Sequence, residues 1–197
     1  MNIFNFNTTP TLIFGNGVSS TACDKILEKL GQNIFIITDS SLTNIGLNKK
    51  IIDELSQFSI LKVFDEIESD PSKQTLIKAF NVAKNFKPTG VLGFGGGSSM
   101  DIAKLVSLLM GTKQDIDNIW GVGNAKGPRL PLVLVPTTAG TGSEVTPISI
   151  ITVEDHEKKG VSTPIILPDL AVLDPELTLN LPSDITAATG VDAMVHA

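Results

Sequence analysis

The chain has 197 residues, 42% hydrophobic and 18% charged, which is long enough for a sizeable core and too apolar for a disordered polypeptide. Its 15 Lys and Arg against 21 Asp and Glu leave a formal net charge of −6, and basic residues never run longer than a pair, which argues against a nucleic-acid-binding surface. The single cysteine, Cys23, cannot close an internal disulfide, and neither MNIFNFNTTP nor LPLVLVP approaches the roughly 18 apolar residues of a membrane span, so the expected location is cytoplasmic, away from the membrane.

From Asn33 onward, short apolar runs alternate with helical patterns, the signature of a parallel sheet flanked by helices. NIFIITD reads as a buried strand, LNKKIIDELSQF as a helix with Ile51, Ile52 and Leu55 inward, and ILKVFD as the next strand. Asp70 in SDPS is placed to cap a second helix, SKQTLIKAFNVAKNF, with Pro71 in its first turn and Pro88 ending it. GVLGFG is a third strand. It runs through glycines into DIAKLVSLLM, a helix so apolar that it must be buried, stopped at Gly111. LPLVLVP is a fourth strand, leading into the polar loop TTAGTGSEVT. PISIITV and GVSTPIIL flank a charged turn and read as a hairpin, and LAVLDP supplies a late strand. From Leu181 the character changes: LPSDITAATGVDAMVHA, with Ser183 as a cap candidate, reads as the opening of an all-helical region. The expected division is an α/β domain over residues 1–180 and the start of a helical domain over 181–197.

Three stretches carry chemistry. In GFGGGSSMD, residues 93 to 101, a strand enters consecutive glycines and then a helix, so backbone N–H groups can approach a phosphate at the positive end of the helix dipole. Ser98 and Asp101 also have capping-box spacing, so the same residues fit a capped helix after a tight turn. The turn is not the usual dinucleotide fingerprint, because Met100 occupies the place of its last glycine and the best acidic candidate, Asp39, precedes it. In PTTAGTGSE, residues 136 to 144, hydroxyls and glycines crowd the C-terminal end of a strand, where open α/β sheets bind ligands. G-x-S-x-G is absent and no histidine is near in sequence, so hydroxyls that grip a ligand are a better reading than a nucleophilic Ser143. In GVDAMVHA, Asp192 and His196 fall at i and i+4 on one helix face, which suits a pair of metal ligands or an ordinary helix pair worth about 0.2–0.5 kcal/mol. The other histidine, His156, lies in the charged stretch VEDHEKKG and reads as a surface residue.

Taken in order, GGGSSMDIAK, PTTAGTGSEVT, LPDLAVLDPELTLNLP and ATGVDAMVHA, with the earlier TLIFGNG, closely resemble the iron-containing (group III) alcohol dehydrogenases over essentially the whole chain. The resemblance implies a Rossmann-like α/β domain that binds NAD, followed by a helical domain holding a divalent metal: Fe(II) foremost, with Zn(II) or Mn(II) as alternatives. It implies metal ligands at Asp192 and His196, through which these residues serve catalysis, with two further histidines beyond this chain. On this reading the chain is an N-terminal piece of a longer enzyme. The resemblance further implies cofactor contacts at Gly96, Gly97 and Ser98 for the pyrophosphate, at Thr137, Thr138 and Thr141 beside the nicotinamide and phosphates, and at Lys158 and Leu177. Asp70 matches a family position near the adenosine where an Asn or similar residue is usual. Asp39 matches the acidic position that favours NAD, since a carboxylate accepts bonds from the ribose 2′-hydroxyl and repels a 2′-phosphate. The implied reaction is hydride transfer between a small alcohol or aldehyde and the nicotinamide, with a homo-oligomer expected. The rival readings are a dehydroquinate-synthase-like lyase, a maleylacetate-reductase-like oxidoreductase, and an NAD-binding module without catalysis.

Overall fold

The structure, a computed structural model, describes residues 5–196, without the side chains of Asp155 and His196. In chain order the elements are β1 (Leu12–Phe14), α1 (Val18–Thr21), α2 (Cys23–Leu30), β2 (Asn33–Ile37), α3 (Ser40–Asn44), α4 (Lys49–Ser56), β3 (Ile60–Phe64), α5 (Lys73–Phe86), β4 (Gly90–Gly95), α6 (Gly97–Gly111), β5 (Gly121–Val122), β6 (Leu132–Pro136), β7 (Ile148–Thr152), β8 (Lys158–Ser162), β9 (Leu170–Leu173) and α7 (Ser183–His196).

Six strands form one parallel sheet in the order β1-β9-β6-β4-β2-β3. The α/β class with flanking helices is therefore present. Strand alternation divides the core: Phe35, Ile37, Val91, Leu132 and Leu134 point to one face, under α5 and α6, while Ile34, Ile36, Leu92, Phe94, Val133 and Val135 point to the other, under α2 and α4. Buried on both faces, these strands read as unbroken apolar runs. Ile51 and Leu55 of α4 are buried and Ile52 is half-buried, close to the inward face expected.

The hairpin also forms, with Thr152 opposite Lys158 and Ile148 opposite Ser162, but β8 stops at Ser162 and Pro164–Ile166 turn as a 3-10 helix. The two-residue β5 adds a third strand, parallel to β8. This small sheet explains α6. The helix packs on the large sheet, on α5 and on β7, so ten of its 15 residues are buried and an amphipathic pattern would have nothing to face.

Two capping expectations fail. Asp70 has φ 54 and lies before the cap: the α5 N-cap is Ser72, whose side chain accepts from Thr75 N. Pro71 consequently stands outside the helix. The Ser98–Asp101 capping box does not form either, because α6 begins at Gly97 with Gly96 as N-cap and no side-chain cap bond. Asp101 is drawn away to the hairpin, as described below.

At the far edge, buried Asp174, just after β9, ties the start of α1 to that strand. Its carboxylate accepts from Gly17 N, Ser19 N, the Ser19 hydroxyl and Glu176 N, at 2.5 to 3.1 Å. Burial raises this carboxyl, but the four hydrogen bonds outweigh it and hold the group below the usual carboxylate range. No helix among the described residues is long and apolar enough to cross a membrane.

Candidate functional site

The strand order explains why Asp39 precedes the glycine turn in sequence. After β2 the chain moves outward to β3, then returns past β2 to build β4, β6 and β9 on the other side. The order reverses between β2 and β4, and an open α/β sheet has its natural crevice at the carboxyl ends of such strands. Ile37 pairs with Gly93 in that register, so Thr38 and Asp39 at the end of β2 lie beside Gly95, Gly96 and Gly97 at the end of β4.

Asp39 caps α3: its Oδ1 accepts from Leu42 N at 3.0 Å and from the Ser41 hydroxyl. Both bonds fall on one oxygen. Gly96 and Gly97 begin α6, and Ser98 lies in its first turn, half-buried. No side chain caps that turn, so its leading N–H groups receive no bond from the cap residue and carry the positive end of the helix dipole.

The loop after β6 closes over the glycines. Thr137 is buried and its amide donates to Gly95 O at 3.0 Å, joining the ends of β6 and β4. A Cβ on Gly97 would lie 2.9 Å from Thr141 Cγ2, so the loop seats directly on this glycine and a side chain there would have to displace it. Thr141 Oγ1 accepts from Ser143 N at 3.2 Å. Farther along, a Cβ on Gly140 would meet Thr189 O at 2.6 Å, so the loop also seats on α7.

Further contacts join the neighbouring segments. Asp39 bridges to Glu66, Ser72 to Thr152, and Lys158 Nζ to Asp70 Oδ1 at 2.5 Å. Thr152 and Lys158 are cross-strand partners, and the Thr152 hydroxyl also donates to Asp70 O at 3.3 Å. Lys158 and Asp70, expected separately as cofactor contacts, thus engage each other. As an exposed pair they contribute at most about 0.2–1 kcal/mol.

The sequence reading missed what holds this loop. Ser143 is not a hydroxyl presented to a ligand: its Oγ donates to Asp101 Oδ1 at 2.7 Å and accepts from Lys104 Nζ at 2.8 Å. Lys104 is fully buried, and its ammonium also donates to Thr146 O at 3.0 Å and Ile148 O at 2.7 Å. Asp101 Oδ2 accepts from Ile150 N at 2.9 Å. Desolvation pulls Lys104 down to about 8 against the opposing pull of Asp101 and Glu144, and desolvation raises Asp101 despite Lys104. A lysine and an aspartate one turn apart inside an otherwise apolar helix were the available signal.

The remaining candidates are dispersed. Leu177 is buried in the core beneath the sheet's second face. His156 is exposed, as expected. Asp192 is half-buried on α7 and His196 is that helix's last residue, its side chain lying outside the described residues. No group of three or more potential metal-ligating side chains is assembled among the described residues.

Does this edge fit a dinucleotide? Among the described residues, two buried side-chain polar atoms lack a partner, Thr38 Oγ1 and Thr138 Oγ1. One follows β2 and the other follows β6, on the two strands flanking β4 and its glycine turn. Unpaired hydroxyls on either side of an uncapped helix N-terminus fit a polar, phosphate-bearing group.

An open parallel sheet with a glycine turn at its switch point defines the class of α/β nucleotide-binding domains. The chain belongs to the iron-containing alcohol dehydrogenase family, whose profile matches residues 9–175. It is 38% identical over 192 residues to the sulfoacetaldehyde reductase of Bilophila wadsworthia, an alignment covering 96% of this chain and 50% of that protein. The crystal structure of a 1,3-propanediol oxidoreductase superposes with TM-score 0.94 at 27% identity, over 99% of this chain and 52% of the other. A sulfoacetaldehyde reductase from Bifidobacterium kashiwanohense, solved in complex with NAD+, superposes with TM-score 0.87 at 31% identity, over 98% of this chain and 51% of the other. The chain therefore spans about half the length of the relatives it matches.

Proposed function

We propose that this chain is the NAD-binding part of a divalent-metal-dependent alcohol dehydrogenase that interconverts a small alcohol and its aldehyde. The observation that carries the reading is the glycine turn at the sheet's switch point, with an uncapped helix N-terminus and Asp39 on the neighbouring strand. In this reading the first-turn amides of α6, with Gly96, Gly97 and Ser98, hold the pyrophosphate, and Asp39 takes the adenosine ribose. Thr137, Thr138 and Thr141 form the wall towards the nicotinamide, Asp70 and Lys158 flank the adenosine side, and Leu177 supports the floor from within the core. The family membership and the NAD+ complex of a relative support this assignment.

Asp192 and His196 offer the oxygen and nitrogen donors that suit Fe(II) or Zn(II), but a catalytic site takes three or more protein ligands. We assign them as part of such a site, completed by residues outside this chain. When bound, the two groups supply a hydride-accepting ring and polarisation of the alcohol oxygen. The chain's own part is to bind and orient the dinucleotide and to exclude water beneath loop 136–144. Exposed Ile185, Val191, Met194 and Val195 on α7 form an apolar surface that favours self-association into a homo-oligomer.

Calorimetric titration of the chain with NAD tests the reading. Saturable 1:1 binding is expected, with no turnover of primary alcohols in the presence of Fe(II) or Zn(II). Absence of NAD binding would remove the assignment, turnover would show the chain to be catalytically sufficient, and sedimentation reads the oligomer.

A further inference from the structure

The loop that covers the glycine turn has an anchor of unusual composition: an ammonium with no access to water, satisfied by three acceptors. Lys104 Nζ donates to Ser143 Oγ, Thr146 O and Ile148 O, all within 3.0 Å. Those acceptors span the join between loop 136–144 and β7. Asp101, one helical turn earlier, grips the same segment through the Ser143 hydroxyl and Ile150 N.

The count of donors fixes the protonation state that this geometry needs. The Ser143 hydroxyl proton is committed to Asp101, so Ser143 Oγ can meet Lys104 only as an acceptor. Both other partners are carbonyl oxygens. A protonated amine supplies three N–H groups, whereas a neutral one supplies two and turns a lone pair towards an acceptor. Loss of one proton therefore leaves one buried oxygen unpaired. The charged groups facing Lys104 among the described residues are Asp101 from its own helix and Glu144 from the loop, while β7 and its approach present carbonyls.

The anchor connects to the glycine turn by a short path. Ser143 N donates to Thr141 Oγ1, and Thr141 Cγ2 is the atom that a Cβ on Gly97 would strike. We infer that Lys104 is a positioning residue: its charged form holds Ser143 and Thr141 in place over the glycine turn, and nucleotide affinity falls when it loses its proton. The inference rests on the nucleotide-binding reading above. Desolvation brings Lys104 to about 8, so the loss falls within an accessible range.

The same titration moves global stability the other way. The folded value, about 8, lies below the ordinary 10.5, so between these values the unfolded chain binds more protons and stability from this group rises with pH. Opposite slopes for stability and affinity distinguish this role from simple alkaline unfolding.

The experiment measures NAD affinity of the full chain from pH 6.5 to 9.5, with wild type, Lys104→Met and Ser143→Ala, alongside hydrogen exchange at Ser143 and Ile150. For wild type, affinity is expected to drop about tenfold across the range while the melting temperature holds or rises. Lys104→Met should bind about tenfold more weakly at pH 7, with a flat pH profile. If that variant fails to fold, Ser143→Ala, which removes only the hydroxyl, should still weaken binding and shift the inflection. Wild-type affinity and pH profile in either folded variant would overturn the inference. If wild type binds no NAD at any pH, the site assignment fails separately, and exchange then decides: the anchor requires lost protection at Ser143 and Ile150 in the variants at matched pH, and equal protection overturns it.

Discussion

At the scale of single residues, Asp39 has two duties that substitution can separate. Its Oδ1 caps α3, a bond that Asn would keep, while the charge is what a 2′-phosphate would oppose. Asp39→Asn is therefore expected to leave the melting temperature nearly unchanged and to narrow the NAD-over-NADP preference by about tenfold, or 1.4 kcal/mol. Calorimetric dissociation constants for both nucleotides check this, and an unchanged ratio would remove Asp39 from the ribose site. The position of Asp39 at the end of a strand was legible because it is local. Lys104 and Ser143 were not, because 39 positions separate them and only the fold brings hydroxyl and ammonium within bonding distance. Asp101 had a plausible local partner in Ser98, and the tertiary bonds to Ser143 and Ile150 displaced it.

At the scale of elements, the glycine turn is constrained twice, by the loop that seats on it and by the ligand assigned to it. Gly97→Val would place a branched side chain at a position where even a Cβ lies 2.9 Å from Thr141 Cγ2. NAD binding should weaken by at least tenfold, while far-ultraviolet circular dichroism stays that of the wild type because α6 is held by its buried flanks. Wild-type affinity would mean that the turn only starts a helix. Strands and helices were read well from the sequence, since β2, β4 and β6 are continuous apolar runs and α6 announces its burial. Ends were read less well: Asp70 and Ser72 are both good caps by residue type, and the left-handed backbone at Asp70 decides between them. Strand order was not legible at all. Periodicity does not tell that β3 lies outside β2, and it is this reversal that puts Asp39 beside the glycines.

At the scale of the whole molecule, the two core layers set the sheet, the sheet sets the switch point, and loop 136–144 is seated beside the start of α6. That loop is held at four places: Thr137 on Gly95, Thr141 on Gly97, Ser143 on Asp101 and Lys104, and Gly140 against Thr189 of α7. Polar, glycine-rich loops at the edge of a domain ordinarily accept changes of length over evolution and in the laboratory. This one should not. An added residue would leave at least one of the four seats out of phase, whereas in segment 123–126, after β5, three of the four residues are exposed and a Cβ on Gly123 would meet nothing within 4 Å. One glycine inserted after Gly140 is accordingly expected to lower the melting temperature and abolish NAD binding, and the same insertion after Gly123 to change neither. Equal tolerance at both sites would mean that the seats are independent and the loop is not a ruler. If they differ as expected, the spacing between β6 and β7 is a fixed length in its own right, enforced by fit on two sides and not by the chemistry of any one of its side chains.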